Sequence, residues 1–395
     1  MKLRVKIPKE KRLSWLMAIL GVVSLVQLFT YKLGTLTGSG ISLKELDTSN
    51  KIIGWHGIYH DPMFGALNFL RSIVFSLDPD FNSYLLRISN VFVGAIACIA
   101  FYYVVKSWHG AKIAFLSVLL FATSAFTLHV SRLASNDVMY FAALPMLFSG
   151  YLALRKYPAS KLALLYNVII WVSLLYTPGM IWFVLISLYY QKDVLKRAFK
   201  TLSLAWKTFY GLLTILALGL LKFLANSTDS MMTYIGLPAT YGAPLEMLKD
   251  LAAVPMHLFV RGPKYPDLWL QRAPILDIFS LSMCILGIYF YLTHRSASRA
   301  KALLLYGLIG TVLIALGGPV SIALLVPLLY LFIATGITYM RQQWLHVFPT
   351  NPIARTFGTS LIIAAVVLSC VYNLRSYFIA WPHNEATHSA FSYHR

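Results

Sequence analysis

Apolar residues in this chain run in long blocks separated by short polar turns. The blocks are too continuous for helices that bury one face and wet the other. A helix crossing a bilayer needs roughly 20 predominantly apolar residues. By that measure the pattern predicts about eleven membrane helices. They fall near residues 14–33, 84–106, 112–130, 137–154, 161–177, 178–191, 202–224, 275–293, 302–317, 319–339 and 357–375. Two joints are tight, Thr177-Pro178-Gly179 and Gly317-Gly318-Pro319. A Pro-Gly pair ends one helix and lets the chain reverse, although either joint also suits a kink within a single span. Two stretches stay polar much longer, residues 31–83 and 225–274. Inside the first, Leu67, Leu70, Ile73, Val74 and Leu77 follow helical spacing with Arg71 on another face. That pattern predicts a short helix lying along the membrane surface.

The expected fold is an all-α polytopic membrane protein, a single integral membrane domain over residues 1–395 with a basic segment at 1–13 and a tail at 376–395. Composition agrees. The chain is 58% hydrophobic and only 12% charged, against roughly 25% charged in soluble globular domains. Its net charge of +20 would suggest nucleic acid in a soluble protein. Here the positions of the charges assign it to topology instead, and no nucleic-acid partner is expected.

With the N-terminus inside, the inside turns collect Lys106, Lys112, Arg155, Lys156, Lys192, Lys196, Arg197, Arg295, Arg299, Lys301 and Arg341. The other side collects nearly every acid. Lys and Arg bias sets orientation, so the N-terminus is expected inside and the C-terminus outside. The first apolar block reads as an uncleaved helix, not a signal peptide, because it is long and many spans follow it. Cys98, Cys284 and Cys370 sit inside apolar runs and read as small core residues.

The acids that carry candidate chemistry lie on the outside. Glu45 and Asp47 follow the first helix, and Asp137 ends the short turn Ser131-Arg132-Leu133-Ala134-Ser135-Asn136-Asp137. A carboxylate at the mouth of an apolar helix usually has a partner or a task. Two acids brought together there would suit a reaction needing a base and a phosphate- or metal-orienting group. Equally, Asp137 could cap its helix and pair with Arg132 or Arg87. His56, His60 and Asp61 have ligand-like spacing, but Gly57 and Pro62 favour a bent loop with ordinary hydrogen bonds. No metal site is assigned, and a divalent cation at the acids stays open.

Leu86-Arg87-Ile88-Ser89-Asn90-Val91-Phe92-Val93-Gly94, then Leu120-Phe121-Ala122-Thr123-Ser124, then His129-Val130-Ser131-Arg132 running on to Asp137, occur in one order. This resembles the membrane-embedded GT-C glycosyltransferases over about residues 14–190. The likeness is to bacterial relatives of dolichyl-phosphate-mannose protein mannosyltransferases and of the lipid A aminoarabinose transferase. The resemblance implies a polyprenyl-phosphate-linked sugar donor, used on the non-cytoplasmic face, and an acceptor that is protein, lipid or glycan. It also implies a catalytic acid in the first outside loop, commonly within an Asp-Glu pair. Here Leu46 separates Glu45 from Asp47, and relatives with a Ser-x-x-Glu loop make Glu45, after Ser42, the closer match. Asp137 matches the second acid, with Asp47 and Asp61 as secondary candidates. Arg71, Arg87, Arg132, Arg261 and Lys264 are the cations expected to hold the donor phosphate. A lipid-linked glycan transporter, or a non-catalytic membrane accessory protein, is the competing reading.

Overall fold

The computed structural model describes residues 9–37, 40–51, 62–77, 82–221, 228–241, 243–270 and 272–393. The first half of the chain forms α1 (Lys9–Thr30), α2 (Leu43–Lys51), α3 (Gly65–Leu77), α4 (Ser83–His109), α5 (Ala111–Thr123), α6 (Ala125–Arg132), α7 (Asp137–Lys156) and α8 (Lys161–Leu175). The second half forms α9 (Ile181–Thr201), α10 (Leu204–Leu221), α11 (Thr228–Ile235), α12 (Pro244–Phe259), α13 (Ile278–Thr293), α14 (Ser298–Ala315), α15 (Val326–Val347), α16 (Pro352–Arg375) and α17 (Glu385–Ala390). Among the described residues the only β pairing is one isolated bridge, Ile41 to Tyr393.

Each apolar block overlaps a helix. Five helical stretches are long and apolar enough to cross a membrane: Ser83–His109, Asp137–Lys156, Ser298–Ala315, Ile322–Val347 and Pro352–Ala380. Ile19–Thr30, Lys161–Leu175 and Ile278–Thr293 are shorter apolar helices, and α9 begins apolar and ends basic. The block at 112–130 is not one helix. It breaks at Ser124 into α5 and α6, which meet at 62°. Two side chains pay attention to the exposed backbone there: Ser124 Oγ accepts from Thr127 N at 3.2 Å, and Asn373 Oδ1 accepts from Ala125 N at 3.2 Å. A helix start buried without such acceptors would leave amides unsatisfied. The bend swings α6, with His129 and Arg132, under the loops.

The interior is packed with aromatics. Phe121 stacks between Phe101 at 4.3 Å and Phe141 at 5.0 Å, joining α4, α5 and α7. The short helix expected there is present as α3. Arg71 is buried with Leu67, while Phe69 and Ile73 are exposed. Leu67 lies in the core and Leu70 packs against it, while hydrogen bonds draw Arg71 in beside them.

The tight joint at Thr177-Pro178-Gly179 does reverse the chain, between α8 and α9. Gly179 has φ +75° and its N–H donates to Tyr234 O at 2.8 Å. Gly236, at φ +89°, lies so close that a Cβ added to it would stand 2.7 Å from Gly179 Cα. The second long loop is thereby pinned to the bundle. Gly236→Ala is expected to lose about 1–3 kcal/mol of stability through this overlap and the positive φ. A shift in thermal unfolding in detergent checks it.

Topology has its own test. A reporter active only outside should work when fused after Asp137 or Lys264 and be silent after Arg197 or Lys301, because basic turns stay on the cytoplasmic side.

Candidate active site

Ser42 immediately precedes α2 and Glu45 lies three residues on, the spacing of a reciprocal helix cap. Ser42 N donates to Glu45 Oε2 at 3.2 Å, and Glu45 N donates to Ser42 Oγ at 3.3 Å. The Glu45 carboxylate is 1% exposed. Arg87, on α4, donates from Nε to Oε1 at 2.7 Å and from Nη2 to Oε2 at 2.8 Å. Ala134 N, in the α6–α7 turn, donates to Oε1 at 3.0 Å. Burial alone would push this carboxyl up; the Arg87 charge and hydrogen bonds prevail and hold it below the usual carboxylate value.

Each Glu45 oxygen therefore accepts two hydrogen bonds, its full capacity in the carboxylate plane. In this arrangement it has no free lone pair for a proton from an acceptor hydroxyl. The geometry makes Glu45 a strut that ties α2 to α4 and to the α6–α7 turn. The sequence signal for that role was present in Ser42-x-x-Glu45, as a cap.

Three of the arginines expected at a donor phosphate are also committed inward. Arg87 Nη1 donates to Leu33 O at 2.8 Å. Arg71 donates to Asn136 Oδ1 at 2.8 Å, and to Asn90 Oδ1, Asn68 Oδ1 and Ser135 O at 3.2 Å each. Burial brings its guanidinium down to about 9, against the nearby Glu45 charge, which raises it. Arg132 donates to Leu28 O and Tyr31 O, and lies over the rings of Tyr377 and Phe378 at 5.1 and 4.9 Å. Asn90 completes the frame by donating to Leu133 O at 2.6 Å and Ser135 O at 2.7 Å. Neither Arg87 nor Arg132 pairs with Asp137, as one reading of the turn had allowed. Together these groups hold the Ser131–Asp137 turn rigidly from below.

What the frame presents is Asp137, half-buried in the first turn of α7. Over it comes the second long loop, bringing Asp267. Trp381 Nε1 donates to Pro266 O at 2.9 Å and Trp269 Nε1 donates to Ala273 O at 2.6 Å. His129 sits edge-on to Trp269, Tyr377 and Trp381, with ring centroids 4.4–5.0 Å away. This aromatic floor fixes the loop on α6 and on the C-terminal segment. Burial raises the half-buried Asp267 carboxyl, Lys44 opposes that, and the Asp137 charge adds to it. Lys44 in turn lies 5.7 Å from the Tyr265 ring centroid.

So Asp137 and Asp267 are brought within electrostatic reach, with Lys44 beside them. Asp267 was counted in the sequence only as one more outside acid. Arg261 and Lys264 are exposed on the same loop, and Asp47 is exposed on α2. Asp61, His56 and His60 lie outside the described residues. Among the described residues no three His, Cys, Asp or Glu side chains gather as a metal site.

No family model matches the sequence, and no curated protein does. Solved structures do match in fold. The apo structure of ArnT from Cupriavidus metallidurans, an aminoarabinose transferase, aligns over 96% of this chain and 78% of its own, with TM-score 0.53 and 10% identity. The apo oligosaccharyltransferase of Archaeoglobus fulgidus aligns over 95% of this chain with TM-score 0.52 and 14% identity. The chain spans 56% of that protein's length. Both are GT-C glycosyltransferases, and the chain has the fold they share.

Proposed function

We propose that the protein is a membrane glycosyltransferase that moves a monosaccharide from a polyprenyl-phosphate carrier to an acceptor, at the face where its two long loops meet. The observation that carries this reading is the half-buried Asp137 held at the mouth of α7 by a buried frame of Glu45, Arg71, Arg87 and Arg132, with Asp267 of the second loop near enough to feel its charge. The GT-C fold supports the reaction class, and the motif resemblance supports the lipid-linked donor.

In the proposed step, an acceptor oxygen or nitrogen forms a bond to the anomeric carbon while the bond from that carbon to the carrier phosphate breaks. The electron pair leaves with the phosphate. The acceptor proton goes to Asp267, whose carboxyl is raised by burial and so suited to take it. Asp137 orients the acceptor or the sugar ring. Lys44, Arg261 and Lys264 are the cations on this face that face the growing phosphate charge, which must be stabilised as it leaves. Asp47 has no separate task here, and Asp47→Asn is expected to be milder than either Asp137→Asn or Asp267→Asn.

The test is transfer by purified protein from a panel of labelled polyprenyl-phosphate sugars, following carrier release. Release with at least one donor supports the reading. Silence across the panel, from protein that is folded and retains the polyprenyl phosphate, favours a carrier or accessory role.

A further inference from the structure

The far end of the bundle holds a second site. Ser107 lies twenty residues along α4 from Arg87, about 30 Å at the helical rise, which is roughly the thickness of the hydrocarbon layer. There the ends of α4 and α7, the middle of α9 and the start of α14 line an open cavity of about 560 Å³. That falls within the roughly 300–1,000 Å³ typical of small-molecule sites. Its walls include Trp108, Phe148 and Tyr306. Its polar lining is cationic: Arg155, Lys156 and Arg299 line it, and no acidic side chain does.

Two features show a built site. Arg299, exposed at the start of α14, has its guanidinium 4.5 Å from the Trp108 ring centroid. Gln191 lines the cavity at 1% exposure. Its Nε2 donates to Ser187 Oγ at 2.7 Å, while its Oε1 has no partner. A buried carbonyl oxygen of this kind calls for a donor.

We propose that this cavity binds the headgroup of an anionic glycerophospholipid bearing a free hydroxyl, of the phosphatidylglycerol type. The phosphodiester lies among Arg299, Arg155 and Lys156, and a headgroup hydroxyl donates to Gln191 Oε1. The aromatic walls take the glycerol and the first part of the chains. Basic pockets between membrane helices on the cytoplasmic side are suited to such headgroups, and the charge pattern puts this end inside. A small free anion would satisfy the cations but leave the aromatic walls uncovered.

The experiment is native mass spectrometry of the full chain in a neutral detergent. It is titrated with phosphatidylglycerol, with phosphatidylethanolamine, and with phosphatidylethanol, which carries the same charge but no headgroup hydroxyl. The unmodified protein should retain phosphatidylglycerol about tenfold better than phosphatidylethanolamine, as two or more paired cations imply, and better than phosphatidylethanol. Gln191→Leu should erase the preference over phosphatidylethanol and keep the preference for anionic lipid. Arg299→Gln should lower retention of both anionic lipids. Equal retention of all three lipids by the unmodified protein overturns the proposal, without need of any variant. So does displacement of the lipid by millimolar inorganic phosphate, which would identify the ligand as a free anion. Lipid preference that survives unchanged in folded Arg299→Gln and Gln191→Leu proteins also overturns it, by placing the lipid elsewhere.

Discussion

Glu45→Gln should destabilise the protein by about 3–5 kcal/mol, the cost of breaking a buried ion pair from one side. The substitution keeps the shape but replaces one oxygen by an amide donor, which then faces Arg87 and a backbone N–H. Arg87, at 2% exposure, is left with a buried charge facing a neutral amide, held by one amide oxygen and Leu33 O. In either amide orientation one backbone N–H, of Ala134 or of Ser42, loses its acceptor, so activity should fall with stability. Thermal unfolding in detergent checks this, and the double variant Glu45→Gln, Arg87→Met should recover part of the loss, since it removes the orphaned charge. The same pair sets a pH dependence. Glu45 is held below the usual value in the folded protein, so its stabilisation is fully present above the unfolded value of about 4.3. It is lost as pH falls through the lower folded value. A Glu45→Gln protein with wild-type stability and reduced turnover would instead make Glu45 the reacting base.

Asp267→Asn should lower turnover by roughly 10²–10⁴-fold, the range for removal of a general base, with little change in unfolding temperature. Asp267 is half-buried, in the second long loop and outside the buried frame of Glu45 and the arginines. Its loss therefore leaves no buried charge unpaired. Because its carboxyl is raised, wild-type activity should begin to fall on acidification at a higher pH than an ordinary aspartate would give. Asp137→Asn removes one cause of that rise, so its remaining activity should show the acid limb moved to lower pH. A pH–rate profile of both variants separates these roles. An unmoved limb in Asp137→Asn would mean that the two acids do not act together.

Much of the helical frame was legible because spans are written as apolar blocks with basic ends. The break at Ser124 was not, because Ala122-Thr123-Ser124-Ala125 carries no Pro or Gly; the bend depends on Asn373, far along the chain, supplying an acceptor. The burial of Arg71 on α3 was not legible, because its partners Asn90, Ser135 and Asn136 come from other elements. In a membrane it is Arg71 that needs the protein, for its four hydrogen bonds.

At the site, the motif residues Arg87, Asn90, Arg132 and Asp137 were all singled out together with Glu45, yet their roles divide. The arginines and Glu45 build the support, and Asp137 is what it presents. Asp267 could not be placed from sequence, since only folding brings the second loop against a turn 130 residues earlier. The nearest signal was the aromatic cluster around it, Tyr265, Trp269 and, across the fold, Trp381.

The most direct test is transfer from a labelled polyprenyl-phosphate sugar by purified wild-type protein and by the Asp137→Asn, Asp267→Asn double variant, matched for folding. A mechanism run by these two acids requires acceptor-dependent release of the carrier by wild type and its loss in the double variant. Undiminished release by the double variant would contradict it.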